Sequence, residues 1–280
     1  MLPKKHFSFR GKPRGIKPSM RDLNQNVMKK ISRRNLMKMT VPTVACSLLG
    51  MPMVFSNERK PASTKRLKII VVGAHPDDPE TGCGGTMALL ANEGHEVISA
   101  YLTRGEAGIK ETSHKDAAKI RTDEALKGCA ILKVTPKFFG QIDGNCEITK
   151  EHYETIYKFF KEEEPDIIFT HWPIDRHRDH RICSILVYDA WFRLKKKSVL
   201  YYFEVMSGRQ SQHFAPTNFV DITPTIAQKH KACFIHKSQR IEEGYPEYHG
   251  KMEIFRGLEN NTPYAEAFIR HIQSPSRVNS

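Results

Sequence analysis

The chain has 280 residues, 39% of them hydrophobic and 27% charged, enough for one large domain or two small ones. Its net charge of +13 would suit a nucleic-acid partner, yet residues 1–60 hold 14 of the 44 Lys and Arg and only two of the 31 Asp and Glu. The surplus sits in a leader and leaves the remaining 220 residues at a net of +1, so no basic surface for phosphates is expected on the folded part.

From Met28 the leader runs Met-Lys-Lys-Ile-Ser-Arg-Arg-Asn-Leu-Met-Lys and continues into a mostly apolar stretch from Met39 to Phe55. A charged segment, a short apolar core and a polar exit form the layout of an export signal. Ser32-Arg33-Arg34-Asn35-Leu36-Met37-Lys38 resembles the twin-arginine motif. Pro42 and Pro52 interrupt the apolar stretch, which argues against a transmembrane helix. Cleavage near Val54-Phe55-Ser56 gives a soluble periplasmic protein; Thr43-Val44-Ala45-Cys46 offers the alternative of a lipoprotein anchored at Cys46. The organisation expected is a leader over 1–56 and one domain over 57–280, with membrane contact only through the leader or that anchor. Beyond the leader stand Cys83, Cys129, Cys146, Cys183 and Cys233, an odd number without a Cys-x-x-Cys pair. That pattern excludes a disulfide framework and a cysteine-ligated zinc site.

Residues 68–72, Lys-Ile-Ile-Val-Val, are a continuous apolar run, as in a strand buried on both faces. A glycine-rich turn is expected next, then a helix over 86–93 closed by Gly94. A strand over 96–102, helices over 116–132 and 149–163, a short strand over 166–170, a helix over 179–194, a strand over 199–205 and a helix over 224–241 complete the reading. Alternation of this kind predicts a single-domain α/β fold, Rossmann-like, with a mostly parallel sheet covered by helices on both faces. Ligands bind such sheets outside the carboxyl ends of the strands.

Two clusters lie there. Gly73-Ala74-His75-Pro76-Asp77-Asp78 follows the first strand, and His171-Trp172-Pro173-Ile174-Asp175-Arg176-His177-Arg178-Asp179-His180 follows the strand over 166–170. Two histidines and one carboxylate suffice for a metal site with an open position, and a further carboxylate can take a proton from water. Either cluster alone also reads as ordinary turn material. The spacing by itself leaves the individual roles open.

Ala74-His75-Pro76-Asp77-Asp78, followed by Gly82-Cys83-Gly84-Gly85-Thr86, resembles the signature of the LmbE-like / GlcNAc-phosphatidylinositol de-N-acetylase superfamily. Leu102–Gly108, Arg121 with Glu124, Asp143-Gly144, His177–His180, His236–Gln239 and Tyr264–Phe268 resemble its later motifs, so the likeness spans roughly residues 66–270. The resemblance implies that His75, Asp78 and His180 bind one Zn²⁺ per chain, with Fe²⁺ or Co²⁺ as alternatives. It implies Asp77 as general base, His177 as oxyanion stabiliser or proton donor to the amine, and Asp179 as the residue that orients His177. Pro79 and Arg178 depart from the pattern, where an acidic residue and a proline are usual.

Arg104 and Glu106 are read as an ion pair at the pocket floor or as substrate contacts, and Asp143 as a partner for sugar hydroxyls. The activity implied is removal of the N-acetyl group from an N-acetylglucosamine-type conjugate, with an amino-sugar molecule or glycoconjugate as partner and a homo-oligomer as a further expectation. The alternatives are a carbohydrate-binding protein that kept the fold without the chemistry, and a hydrolase of phosphoesters.

Overall fold

The computed structural model describes residues 65–195 and 197–276; the leader, with Arg33, Arg34, Cys46 and both cleavage readings, lies outside them. The described residues form one α/β domain. The sheet order is β3-β2-β1-β4-β5-β7-β6, with β1 Lys68–Gly73, β2 Glu96–Thr103, β3 Thr135–Gln141, β4 Ile167–His171, β5 Val199–Phe203, β6 Asn218–Asp221 and β7 Ala265–Arg270. Strands β1 to β5 run parallel; β7 is antiparallel to both β5 and β6. The helices are α1 Asp78–Asn92, α2 His114–Leu132, α3 Lys150–Glu163, α4 Arg178–Arg193, α5 Ile226–Cys233 and, after short turns, α6 His249–Asn260. None of the described helices is long and apolar enough to cross a membrane.

The apolar run of β1 is continuous because each face meets its own core. Ile70 and Val72 pack with Ile98, Phe160 and Trp191. Ile69 and Val71 pack with Tyr101, Phe169 and Phe203 on the opposite side. Strand β1 pairs with β2 on one edge and β4 on the other, so the connections leave it in opposite directions. The gap between the carboxyl ends of β1 and β4 is therefore a topological switch point, where open α/β sheets place their ligands. Both histidine clusters flank it.

Several boundaries differ from the sequence reading. Helix α1 begins at Asp78 rather than at 86, so Gly82, Gly84 and Gly85 lie inside it and are not a turn. They serve close packing: a Cβ on Gly82 would stand 2.5 Å from the Phe203 ring, and one on Gly85 2.6 Å from Ile222. The expected helix over 224–241 stops at Cys233, because His236 adopts ψ 60 and Arg240 φ 52. Strand β3 escaped notice because Pro136, Lys137 and Gly140 break the apolar run of an edge strand. All five cysteines of the domain are buried and free.

Candidate active site

Gly73 lets the chain turn tightly out of β1, since a Cβ there would stand 2.6 Å from Pro79 and 2.8 Å from the Asp78 side chain. Asp77 then takes φ 108, a backbone region costly for a non-glycine residue and often found at functional sites. Its N–H reaches the Glu80 carboxylate at 3.2 Å, and Tyr101 donates its hydroxyl to the same carboxylate at 2.5 Å. The turn thereby aims two adjacent carboxylates in different directions.

Asp78 is buried against three imidazoles. Its oxygens lie 3.2 Å from His75 Nδ1, 3.2 Å from His171 Nε2 and 3.3 Å from His180 Nε2. Burial opposes its charge, but His180 and His171 hold its pKa well below the usual range. Asp77 faces a cavity of about 660 Å³ and bonds Arg121 Nη2 at 2.9 Å. Burial pushes its pKa up to about 6, Arg121 opposing and Asp78 reinforcing the rise. Arg121 also donates to the Pro76 carbonyl at 2.5 Å, and a Cβ on Gly105 would stand 2.5 Å from its guanidinium. That glycine, at φ +72, leaves the slot the arginine fills.

The histidines are held by further carboxylates. His75 Nε2 lies 3.0 Å from Asp143 and 3.3 Å from Asp179. His180 Nδ1 lies 3.3 Å from Asp175 Oδ1, while Asp175 Oδ2 accepts from Ser211 Oγ at 2.9 Å. A carboxylate behind an imidazole fixes its orientation and raises its basicity toward a metal. Burial works against the charged forms of His75 and His180. Their carboxylate partners nevertheless carry the pKa of His75 well above the ordinary value and that of His180 to about 9. The cluster thus calls for positive charge at its centre, and hard carboxylate with borderline imidazole donors is a set that suits a divalent ion. Among the described residues three overlapping groups have donor atoms within 4.8 Å of one another, His75, His177 and His180; Asp78, His171 and His180; and His75, Asp143 and Asp179, and the expected set of His75, Asp78 and His180 is spread across them.

His171 was not singled out from the sequence. It is fully buried, stacks on His180 at 4.0 Å between centroids, and its Nε2 accepts from Ala74 N–H at 3.0 Å. Burial and His180 bring its pKa down to about 4, which suits a neutral wall for the cluster. Its place as the last residue of β4 was the available signal; Asp175, quoted in the same cluster, was given no role there.

The expectation that the Asp179 side chain orients His177 is corrected. The Asp179 carboxylate turns to His75 and to Gly144 N–H, at 2.7 Å, instead of to His177. His177 caps α4, its Nδ1 accepting the Asp179 backbone N–H at 3.3 Å. Burial and the neighbouring His75 and His180 lower its pKa, which favours the neutral imidazole, and with Nδ1 accepting, a neutral ring carries its proton on the other nitrogen.

Of the expected substrate contacts, Asp143 lines the cavity and Arg104 does not. Arg104 is exposed, with its guanidinium 5.6 Å from the Phe138 ring centre. Glu106 forms no ion pair with it: its buried carboxylate accepts the backbone N–H groups of Arg104, at 3.2 Å, and Asp143, at 3.1 Å, tying two site loops together. His236, expected on a helix, is fully buried behind α1 in a turn, 3.8 Å from Glu80. Glu124 accepts from Ser238 N–H at 2.8 Å and Oγ at 2.6 Å, anchoring that turn.

Comparison with known proteins concerns the chain's fold and family. Residues 70–191 match the family model described as GlcNAc-PI de-N-acetylase. A diacetylchitobiose deacetylase from Thermococcus kodakarensis is 28% identical over 71% of this chain and 81% of its own length. A 4-oxalmesaconate hydratase from Pseudomonas putida is 25% identical over 70% of this chain and 82% of its own. Among solved structures, the N,N'-diacetylchitobiose deacetylase from Pyrococcus horikoshii superposes with a TM-score of 0.66 at 25% identity, over 75% of this chain and 87% of that one. The match over residues 70–191, the signature after β1 and these relatives all make this stretch similar to the GlcNAc-PI de-N-acetylase family.

Proposed function

We propose that the protein is a metal-dependent hydrolase that removes the acetyl group from an N-acetylated amino-sugar conjugate. The observation that carries this reading is the divergence of two neighbouring carboxylates. Asp78 is surrounded by imidazoles and held ionised, whereas Asp77 faces the cavity, bonded to Arg121, with a pKa near 6. Neighbouring carboxyls whose environments push their pKa values apart divide the acid–base labour of a reaction.

His75, Asp78 and His180 are the residues that would hold the ion, for which zinc is the choice that fits the donors. A divalent ion held there would supply a polarising charge for the acetyl carbonyl and would acidify water. Asp77 accepts a proton from the water that adds to the carbonyl carbon, with Arg121 fixing the carboxylate. The N–H of His177 meets the charge that develops on the carbonyl oxygen. As the carbon–nitrogen bond breaks, the proton on Asp77 passes to the leaving nitrogen, giving acetate and a free amine. Asp143 and Arg121 on the same floor are placed to bind sugar hydroxyls.

A second reading has one observation in its favour: the similar Pseudomonas putida protein is a hydratase, so this fold also hosts addition of water to a double bond. Acetate release assayed across N-acetylglucosaminides, beside hydration of 4-oxalmesaconate, separates the two. Acetate with an equal yield of amine supports the first; hydration without acetate replaces it with the second. Sugar binding without either reaction restores the non-catalytic alternative. We also propose export by the twin-arginine route, on Ser32–Lys38 alone. Replacing Arg33 and Arg34 by Lys should leave the unprocessed form inside the cell, and normal processing would refute that route.

A further inference from the structure

The cavity is charged in two zones. Its three carboxylates, Asp77, Asp78 and Asp143, all lie on the floor, where Arg121 or imidazoles satisfy them. The remaining lining from residues 205–210 and 239–249 carries no carboxylate and contributes Arg209 and Arg240. Arg240 is paired with Glu243, its Nε at 2.9 Å from the carboxylate. Arg209 has no carboxylate within ion-pair distance among the described residues; its guanidinium carbon lies 4.3 Å over the centre of the Tyr248 ring. An exposed guanidinium over a ring face keeps N–H groups available to a planar or tetrahedral anion.

The segment that bears Arg209 is also well tied down. Gln210 O accepts from Arg176 N–H at 3.1 Å and Gln212 N–H donates to Ile174 O at 2.9 Å. Ser211 Oγ bonds Asp175 at 2.9 Å and accepts Val205 N–H at 2.9 Å. Arg209 is thus offered from a preformed turn, joined through Asp175 to His180.

We infer that Arg209 and Tyr248 form a specificity subsite that recognises an anionic group, a carboxylate or a phosphate, on the aglycone of the amino-sugar conjugate. This rests on the deacetylase reading above. The acetamide lies at the floor, and the anion sits on the Arg209 edge, away from the floor carboxylates that would repel it.

The test compares kcat/KM for acetate release from three N-acetylglucosaminides: a neutral methyl glycoside, one with a carboxylate-bearing aglycone and one with a phosphate-bearing aglycone. The wild type should favour at least one anionic substrate by about tenfold, the worth of one charge-assisted hydrogen bond. Arg209→Gln should bring that ratio near unity and Arg209→Glu should invert it, with Tyr248→Leu intermediate. Which anionic arm responds identifies the group. Calorimetric binding of the three deacetylated glucosaminides should repeat the order without turnover. Acetate release with no anionic preference, or a preference unchanged in both Arg209 variants, overturns the subsite and leaves the deacetylase reading standing. Release from none of the three glycosides removes the deacetylase reading and this inference with it.

Discussion

Asp175 does not itself line the cavity, yet it should control how tightly the site holds its ion. Its Oδ1 accepts His177 N–H at 2.8 Å and lies 3.3 Å from His180 Nδ1, and its Oδ2 accepts Ser211 Oγ at 2.9 Å. In Asp175→Asn the amide oxygen can keep the two contacts at Oδ1, and the amide nitrogen can donate to the serine hydroxyl, which rotates to accept. Only the negative charge behind His180 is lost, so metal affinity should fall about tenfold, the lower end for losing such a partner. Asp175→Ala removes all three contacts, frees the His180 ring to turn, and should cost about a hundredfold, or about 2.8 kcal/mol. Competition titration against a metallochromic chelator measures both, with circular dichroism showing that each variant is folded. An alanine variant that binds metal as the wild type does, or an asparagine variant as impaired as alanine, would refute the argument.

The other predictions concern the base, the oxyanion donor and a buried ionic cluster. Asp77→Asn should keep its metal and lose about 10²–10⁴ in turnover, because the amide cannot accept the proton; His177→Ala should keep its metal and lose about 10²–10³. Both are read from metal content and acetate release on the same samples. Lys229 is 1% exposed and bridges Glu253 and Glu266, at 2.8 Å each; Lys229→Met strands two buried carboxylates and should lower stability by about 3–5 kcal/mol in denaturant unfolding. Glu253 is opposed by burial but held ionised by Lys229, His230 and Tyr245, which bring its pKa from 4.5 to about 2. Its stabilisation is therefore complete above pH 4.5 and drains away as pH falls toward about 2. The stability gap between wild type and Glu253→Gln should close over that window, and a gap independent of pH would contradict the assignment.

The parts of this molecule legible in the sequence are those where local pattern and global fold agree. Strand β1 announces itself as Ile-Ile-Val-Val because both of its faces are covered, and the two clusters mark the carboxyl ends of β1 and β4. Hidden from the sequence was whatever depends on pairing across the fold. Gly82 and Gly85 look like turn residues until Phe203 and Ile222 are seen filling the space above them. Strand β7 carries Glu266, whose carboxylate accepts the Gly85 and Thr86 N–H groups at 2.8 Å inside the domain, so its polar residue disguised a buried strand. The family resemblance implied that the Asp179 side chain orients His177, but the first turn of α4 sends its carboxylate to His75 and leaves only its backbone N–H on the His177 ring. Sequence proximity is a poor guide to side-chain partners at a helix start, where successive residues point in different directions.

Acetate release measured through one cycle of metal removal and return tests the central claim most directly. The purified protein should carry about one divalent ion per chain, the count implied by one open three-ligand site. Chelation should abolish both the ion and acetate release from an N-acetylglucosaminide, and stoichiometric readdition should restore the two together. Undiminished acetate release from the metal-free protein would contradict the account.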